Sequence, residues 1–234
     1  MEDSSVSLNK YISSKGLCSR READKWIEAG RLKINGVVAQ KGNRVLPSDL
    51  VLLDDKRISK APKAVYIALN KPRGIVSTTD TRESKNIVDF INYKERLFHV
   101  GRLDKASEGL IFMTNNGDIV NKILRAGNAH EKEYIVRVDR PLNKGFIERM
   151  GGGIPILGTK TLPCEVEQLD KKKFKIILKQ GLNRQIRRMC EYLGYEVKSL
   201  KRVRIMHIRL GNLRVGQWRH FTKEEVREMM KLIK

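Results

Sequence analysis

Ten residues near the end of the first quarter of the chain, Asp54-Asp55-Lys56-Arg57-Ile58-Ser59-Lys60-Ala61-Pro62-Lys63, do most to limit what it can fold into. They offer neither a helical stripe nor a strand alternation, and they contain a proline, so they read as a linker with a boundary near residue 60. The expectation is therefore two domains, one over 1–60 including the linker and one over 61–234. Hydrophobic residues make up 40% of the sequence, enough for packed cores and too many for a disordered basic tail.

The first domain reads as a helix–helix–hairpin module over 6–53. Leu8, Tyr11 and Ile12 make a short helical stripe that Gly16 ends. Ser19-Arg20-Arg21-Glu22 has the form of a capping box, Ala23, Trp26 and Ile27 share the face that follows, and Gly30 stops the helix. Asn35-Gly36 between short apolar runs is a strong hairpin signal, and a last strand is expected over 50–53. Arg20 and Arg21 fall in the first turn of a helix, where the macrodipole disfavours cations. A bound anion offsets that cost, and two solvated arginines are the alternative.

Charge brings in the partner. Lys and Arg number 48 against 27 Asp and Glu, a formal charge of +21. On a folded chain this favours a polyanion, first of all nucleic acid. An anionic membrane fits less well, because no apolar run approaches the ~20 residues that span a bilayer. The polar start MEDSSVSLNK is unlike a signal or transit peptide. Cys18, Cys164 and Cys190 are odd in number and far apart, and His99, His130, His207 and His220 are scattered. These features suit a reducing cytoplasm without disulfides and leave no metal-ligand spacing. The excess is uneven. Residues 182–220 carry +8 and residues 6–53 carry +5, in both cases together with apolar periodicity.

The second domain mixes strands, expected over 65–69, 97–100, 110–114, 134–138 and 174–178, with helices over 118–126, 185–193 and 222–233. The last helix opens on a capping box, Thr222-Lys223-Glu224-Glu225. Strands outnumber helices and do not alternate with them, so the class is α+β with a mixed, mainly antiparallel sheet. No phosphate loop or dinucleotide fingerprint occurs, and Gly151-Gly152-Gly153 before Ile154-Pro155 reads as a turn, so no cofactor is expected.

Three segments carry candidate chemistry. In Gly101-Arg102-Leu103-Asp104-Lys105 a glycine turns the chain out of an apolar strand, and Arg102 and Lys105 flank Asp104, which keeps it ionised. Such a carboxylate is a poor general acid but serves as a nucleophile or as half of an ion pair. In Asn183-Arg184-Gln185-Ile186-Arg187-Arg188-Met189-Cys190 the residues Ile186, Met189, Cys190 and Leu193 form a buried stripe. Arg184, Arg187 and Arg188 fall on the opposite face and crowd the first turn, which calls for a phosphate or carboxylate partner. Tyr134 begins an alternating strand and shares a face with Val136 and Val138, where a core tyrosine is the plain reading.

The run LNKYISSKGLCSRREADKWIEAGRLKINGVV resembles the S4 RNA-binding domain, which implies structured RNA as the polyanion. The second domain resembles the pseudouridine synthases of the RsuA/RluB/RluF type. The resemblance rests on Asn70-Lys71-Pro72-Arg73-Gly74, Gly101-Arg102-Leu103-Asp104 with Gly109-Leu110, Lys132-Glu133-Tyr134, and the run from Gly181 to Met189, all in the family's order. The runs 121–128 and 130–134 look most like the RluF branch, which acts on large-subunit (23S) rRNA. Ser107 stands where many relatives have Thr, with the hydroxyl kept.

The resemblance implies that Asp104 is the nucleophile, that Arg187 pairs with it and that Tyr134 packs against the target base. Attack at C6, attack at C1′ and removal of a 2′ proton are all compatible with the motif. It also implies that RNA is contacted by Arg102, Leu103, Lys105, Arg184, Gln185, Ile186 and Arg188, and by Arg20 and Arg21 of the S4 module. Neither cofactor nor metal is implied, and a monomer is the expected state. Two other readings stay open at this point: a synthase directed at tRNA, and a non-catalytic RNA-binding factor of ribosome assembly. The intact Asp104 motif speaks against the second.

Overall fold

The computed structural model describes residues 5–58, 62–124 and 130–233. The chain divides into two compact units between Ala64 and Val65. The split thus falls a few residues beyond the expected boundary near 60, and the expected linker does not begin at residue 54, because Lys56 and Arg57 pair with Leu53 and Leu52 in the first unit's sheet. Residues 59–61 of the linker lie outside the described residues, as do residues 125–126 of the helix expected over 118–126.

In the first unit a short ladder pairs β1 (Val6–Ser7) with β4 (Arg44–Val45), and between them in sequence come α1 (Leu8–Ser14) and α2 (Arg20–Glu28). β2 (Leu32–Ile34), β3 (Val37–Val38), β5 (Val51–Leu53) and β6 (Lys56–Arg57) form an antiparallel sheet in the order β3-β2-β5-β6. The expected hairpin is present, with Asn35 and Gly36 both at positive φ in its turn. Ser19 accepts the Glu22 N–H at 3.0 Å, so half of the capping box forms, while the Glu22 carboxylate pairs with Lys25 at 3.7 Å. Leu8, Ile12, Ala23, Ile27, Leu32, Val45 and Val51 close the core. Arg20 and Arg21 stand exposed at the start of α2.

The second unit is built on one large sheet. Its elements in chain order are β7 (Tyr66–Lys71), α3 (Ile87–Ile91), β8 (Phe98–Val100), β9 (Glu108–Thr114), α4 (Gly117–Leu124), β10 (Lys132–Val138) and α5 (Phe146–Gly151). Then follow β11 (Pro155–Ile156), β12 (Thr159–Lys160), β13 (Glu165–Asp170), β14 (Lys173–Leu178), α6 (Gln185–Tyr192), β15 (Val197–Ile205), β16 (Ile208–Arg209), β17 (Trp218–His220) and α7 (Lys223–Leu232). The sheet order is β13-β14-β10-β15-β9-β7-β17, with β16 added to β15 and β8 to β9. Its pairs are antiparallel except β15 with β9. The α+β expectation therefore describes the unit.

Several elements differ from the sequence reading. β15, the strand at the centre of the sheet, was read only as part of a basic run, since four of its nine residues are Lys or Arg. Its arginines are internal. Arg202 is buried, and Arg204 bonds Glu133 at 2.8 Å and Glu131 at 3.1 Å. Arg219, in the same run, is held by Glu225 at 2.7 Å. Part of the +8 stretch is thus neutralised inside the fold. The short helix α3 was not expected either. Asn86 starts it by accepting the Val88 and Asp89 N–H groups. The glycine turn at 151–153 is the end of a helix, α5. Gly153 takes φ +90° there, and a Cβ on it would meet Thr161 O at 2.4 Å.

Among the described residues there are four apolar clusters, one of them the core of the first unit. In the second unit one cluster centres on Phe146, Phe174, Ile176, Met189 and Leu200, where β10, β14 and β15 meet α5 and α6. A second, with Ala68, Phe112, Ile205 and Met229, lies under α4 and α7. A third holds Ile67, Leu69, Ile87, Leu97, Leu103 and Ile111. Tyr134 packs against the first and the third, and so stands where they join.

Candidate active site

Asp104 lies on the loop from β8 to β9, and its neighbours are fixed on both sides. Gly101 turns the chain at φ +73°, and His99 Nδ1 lies 2.8 Å from Gly101 O. The Ser77 hydroxyl donates to Leu103 O at 2.9 Å and accepts the Leu103 N–H at 3.2 Å, satisfying both backbone groups of the residue before Asp104. After it, Lys105 O accepts the Gly74 N–H at 2.8 Å and Asp104 O accepts the Ser107 N–H at 2.9 Å. The carboxylate is thereby presented from a loop with few free torsions, which suits a reacting group.

Arg187 comes from the first turn of α6. Its Nε lies 3.8 Å from Asp104 Oδ2, an ion pair rather than a hydrogen bond. Its Nη2 donates to Ala106 O at 3.2 Å and to Ser107 Oγ at 3.1 Å, and its Nη1 to Val197 O at 3.3 Å. Burial lowers the pKa of this guanidinium, opposed by Asp104 and reinforced by Arg184 and Arg73. Arg184 Nη1 is 4.0 Å from the same Oδ2, and Arg184 occupies the N-cap of α6 in the left-handed conformation at φ +49°.

These contacts revise the sequence reading at several residues. The cations facing Asp104 come from α6, whereas Arg102 and Lys105 beside it in sequence are exposed. Arg187 is not on the outer face with its neighbours, since its side chain is 14% exposed. Arg188 turns back to Asn183, donating to its O at 3.1 Å and its Oδ1 at 3.2 Å. Leu103, Gln185 and Ile186 are buried, so their side chains do not form an RNA-facing surface. Leu103 and Ile186 belong to the cores, and Gln185 Oε1 accepts the Leu182 N–H at 3.0 Å.

Two residues that sequence patterning missed complete the site. Lys71 is fully buried, and its Nζ donates to Pro72 O at 2.9 Å and Ile75 O at 2.8 Å, closing the turn that carries Gly74. Burial, with Arg202 nearby, pushes its pKa down to about 8. Arg202 donates from Nε to Leu110 O at 2.6 Å and from Nη1 to Arg102 O at 3.5 Å, so it spans both ends of the Asp104 loop. Its Cζ is 6.0 Å from the Tyr134 ring centroid. Arg202 Nη2 is buried with no hydrogen-bond partner among the described residues. Nothing local in the sequence separates Arg202 from Lys201, because the distinction arises only when β15 lies beside β9. Gly109 makes that approach possible. It pairs with Arg202, and a Cβ on it would meet Arg202 O at 2.3 Å.

The structure thus brings Asp104, Arg187 and Arg184 together, while Tyr134 is linked to the same loop through Arg202 and through the cluster that holds Leu103, and Lys71 is buried within electrostatic reach of Asp104 and Arg202. Arg20 and Arg21 belong to the other unit. Among the described residues, no group of His, Cys, Asp and Glu is arranged to hold a metal ion, and no helix is long and apolar enough to cross a membrane.

Comparison with known proteins places this arrangement. Residues 65–192 match the family model of the RNA pseudouridylate synthases, and residues 6–51 match that of the S4 domain. The chain is 56% identical over 235 residues to the dual-specificity RNA pseudouridine synthase RluF of Escherichia coli K12, an alignment covering all of this chain and 81% of that one. It is 34% identical to the ribosomal large subunit pseudouridine synthase B of Bacillus subtilis, over 96% of each chain. A crystal structure of a pseudouridylate synthase matches with a TM-score of 0.70 at 28% identity, covering 97% of this chain and 99% of that chain. The chain belongs to the RNA pseudouridylate synthase family and carries an S4 domain.

Proposed function

We propose that this protein isomerises uridine to pseudouridine in RNA, with large-subunit (23S) rRNA as its main substrate and Asp104 as the nucleophile. One observation carries the assignment of the residue: in a member of this family, a carboxylate on a tethered loop faces a mostly buried guanidinium, Arg187, at 3.8 Å. The reaction breaks N1–C1′, turns the uracil and forms C5–C1′. The hydrogen on C5 leaves as a proton and N1 gains one, so no electrons are exchanged and no cofactor is consumed.

Each residue has a part. The Arg187 guanidinium faces the Asp104 side chain and orients it, and the long pair tightens once substrate excludes water. The ring of Tyr134 stacks on the uracil and retains it after detachment. The target must leave its helix, at a cost of a few kcal/mol. The exposed Arg102 beside Asp104 fills the space it vacates. Arg184 and Lys105 contact the backbone near the target, and Arg20 and Arg21 anchor structured RNA on the S4 unit.

The relatives at 56% identity are named as dual-specificity enzymes, which supports a second RNA substrate, and tRNA is the class we propose. We propose that it acts in the cytoplasm, where these RNAs are made, and as a monomer. The test is pseudouridine mapping of rRNA and tRNA from cells with and without the gene. The expected result is loss of a 23S rRNA site, with or without a tRNA site. Identical maps would contradict the proposal.

A further inference from the structure

Arg73 has no part in the site as described, yet it is tied to the Asp104 loop. It lies within the turn that Lys71 closes, and the next residue, Gly74, donates its N–H to Lys105 O at 2.8 Å. The Arg73 side chain is 46% exposed, and its Nε lies 3.6 Å from Glu108 Oε2. That separation is an ion pair beyond hydrogen-bond range. Arg73 is also near enough to Arg187 to disfavour the charge there. Arg184, 50% exposed, reaches Asp104 from α6. Two half-exposed guanidinium groups from separate segments therefore border one loop.

We propose that Arg73 binds a backbone phosphate next to the target uridine, and that Glu108 occupies the guanidinium while RNA is absent. The inference rests on the reading of this protein as an RNA uridine isomerase. A nucleotide whose sugar is at Asp104 carries one phosphate on its 5′ side and one on its 3′ side, and Arg73 and Arg184 offer one guanidinium for each. An Arg–carboxylate pair beyond hydrogen-bond range, with its arginine half-exposed, is weak. A guanidinium grips a phosphate through two parallel charge-assisted bonds, a geometry that arginine provides and lysine does not. Phosphate therefore displaces Glu108, and the loosely paired carboxylate keeps Arg73 poised over the loop until it does.

The test uses fluorescence anisotropy with the full-length protein and a fluorescein-labelled fragment of unmodified 23S rRNA that supports tritium release. Arg73→Gln is expected to weaken binding about fivefold and to lower the slope of log K against log salt by roughly 0.7 to 0.9, the share of one phosphate contact. Glu108→Gln is expected to tighten binding about two- to threefold, because it frees Arg73. The double variant should match Arg73→Gln alone, since Glu108 acts only through Arg73. A purely structural role for either residue does not produce a gain of affinity. An unchanged salt slope in Arg73→Gln would overturn the proposal, as would the same tightening by Glu108→Gln in the Arg73→Gln background. Those results would leave the isomerase reading intact, whereas a wild-type protein that releases no tritium from any RNA would undo the reading itself.

Discussion

Replacing Gly109 by alanine should separate the two strands on which the site depends. A Cβ at this position would lie 2.3 Å from Arg202 O and 2.6 Å from Arg202 N, both backbone atoms that cannot swing aside. Normal contact needs about an ångström more, so β15 must move away from β9 where the Asp104 loop enters the sheet. Gly109 also has φ +111°, a conformation that L side chains rarely adopt. Strain of this kind costs of order 1–3 kcal/mol and overpacking of a tight contact about the same. The expected loss is about 3–5 kcal/mol, or a fall in Tm of roughly 10 °C for a unit of this size. The same displacement carries Arg202 away from Leu110 O and Arg102 O, so tritium release from 5-tritiated uridine in RNA should drop by at least tenfold even below the melting range. Gly117→Ala is the control. It lies at the start of α4 with open space around its Cβ position and an ordinary φ, so it should be neutral or slightly stabilising. A Gly109→Ala protein that melts within ~2 °C of wild type and keeps full activity would refute the reasoning about this strand pair.

Three further outcomes follow from the same geometry. Arg187→Lys keeps a charge but loses the fork that holds Ala106 O, Ser107 Oγ and Val197 O, so kcat should fall about 100-fold with little change in RNA affinity; equal losses in kcat and affinity would point to a binding role instead. Arg202→Gln should lower kcat by about tenfold or more at an unchanged Kd for RNA, with Arg202→Lys partly restoring it, because the side chain spans the ends of the Asp104 loop without facing the RNA backbone. Lys71 has a folded pKa of about 8 against an unfolded value of 10.5, so its charge is penalised in the fold. Below pH 8 both states carry the proton and the penalty is constant, whereas between pH 8 and 10.5 the unfolded state binds more protons and stability rises by up to ~3 kcal/mol. The neutral amine still has two N–H groups for Pro72 O and Ile75 O. Denaturant unfolding of wild type and Lys71→Met should therefore show the difference shifting toward wild type as pH rises, and a pH-independent difference would contradict the assignment.

How much of this could be read from residues alone depended on whether the signal was local. Ser19, Asn35-Gly36 and the Thr222 capping box mark their own elements, since caps and tight turns are decided within a few residues, and these all stand in the structure. The apolar stripe of Ile186, Met189 and Cys190 marked the buried face of α6 for the same reason. Neighbours in sequence misled where the third dimension decides. Arg102 and Lys105 adjoin Asp104 in the chain, but Arg184 and Arg187 supply the charges that face it. Arg202 and Arg204 counted only as members of a basic run, because patterning cannot show that β15 lies between β9 and β10. Gln185 and Ile186 share a motif with Arg184 and Arg187 yet are buried, Ile186 in a core and Gln185 against the Leu182 N–H, as a helix turns adjacent residues by about 100°. Lys71 is polar in every local respect, and only the turn that wraps its Nζ explains its burial.

If the Asp104 carboxylate performs the isomerisation, removing its charge alone must stop the reaction. The most direct measurement is tritium release from 5-tritiated uridine in unmodified 23S rRNA by wild type and Asp104→Asn, with RNA affinity and Tm measured in parallel. The side chain is 35% exposed and the change is isosteric, so the variant should fold and bind RNA. Wild type should release tritium, and Asp104→Asn, folded and RNA-bound, should release none above background. Release by Asp104→Asn at the wild-type rate would contradict that role of the carboxylate.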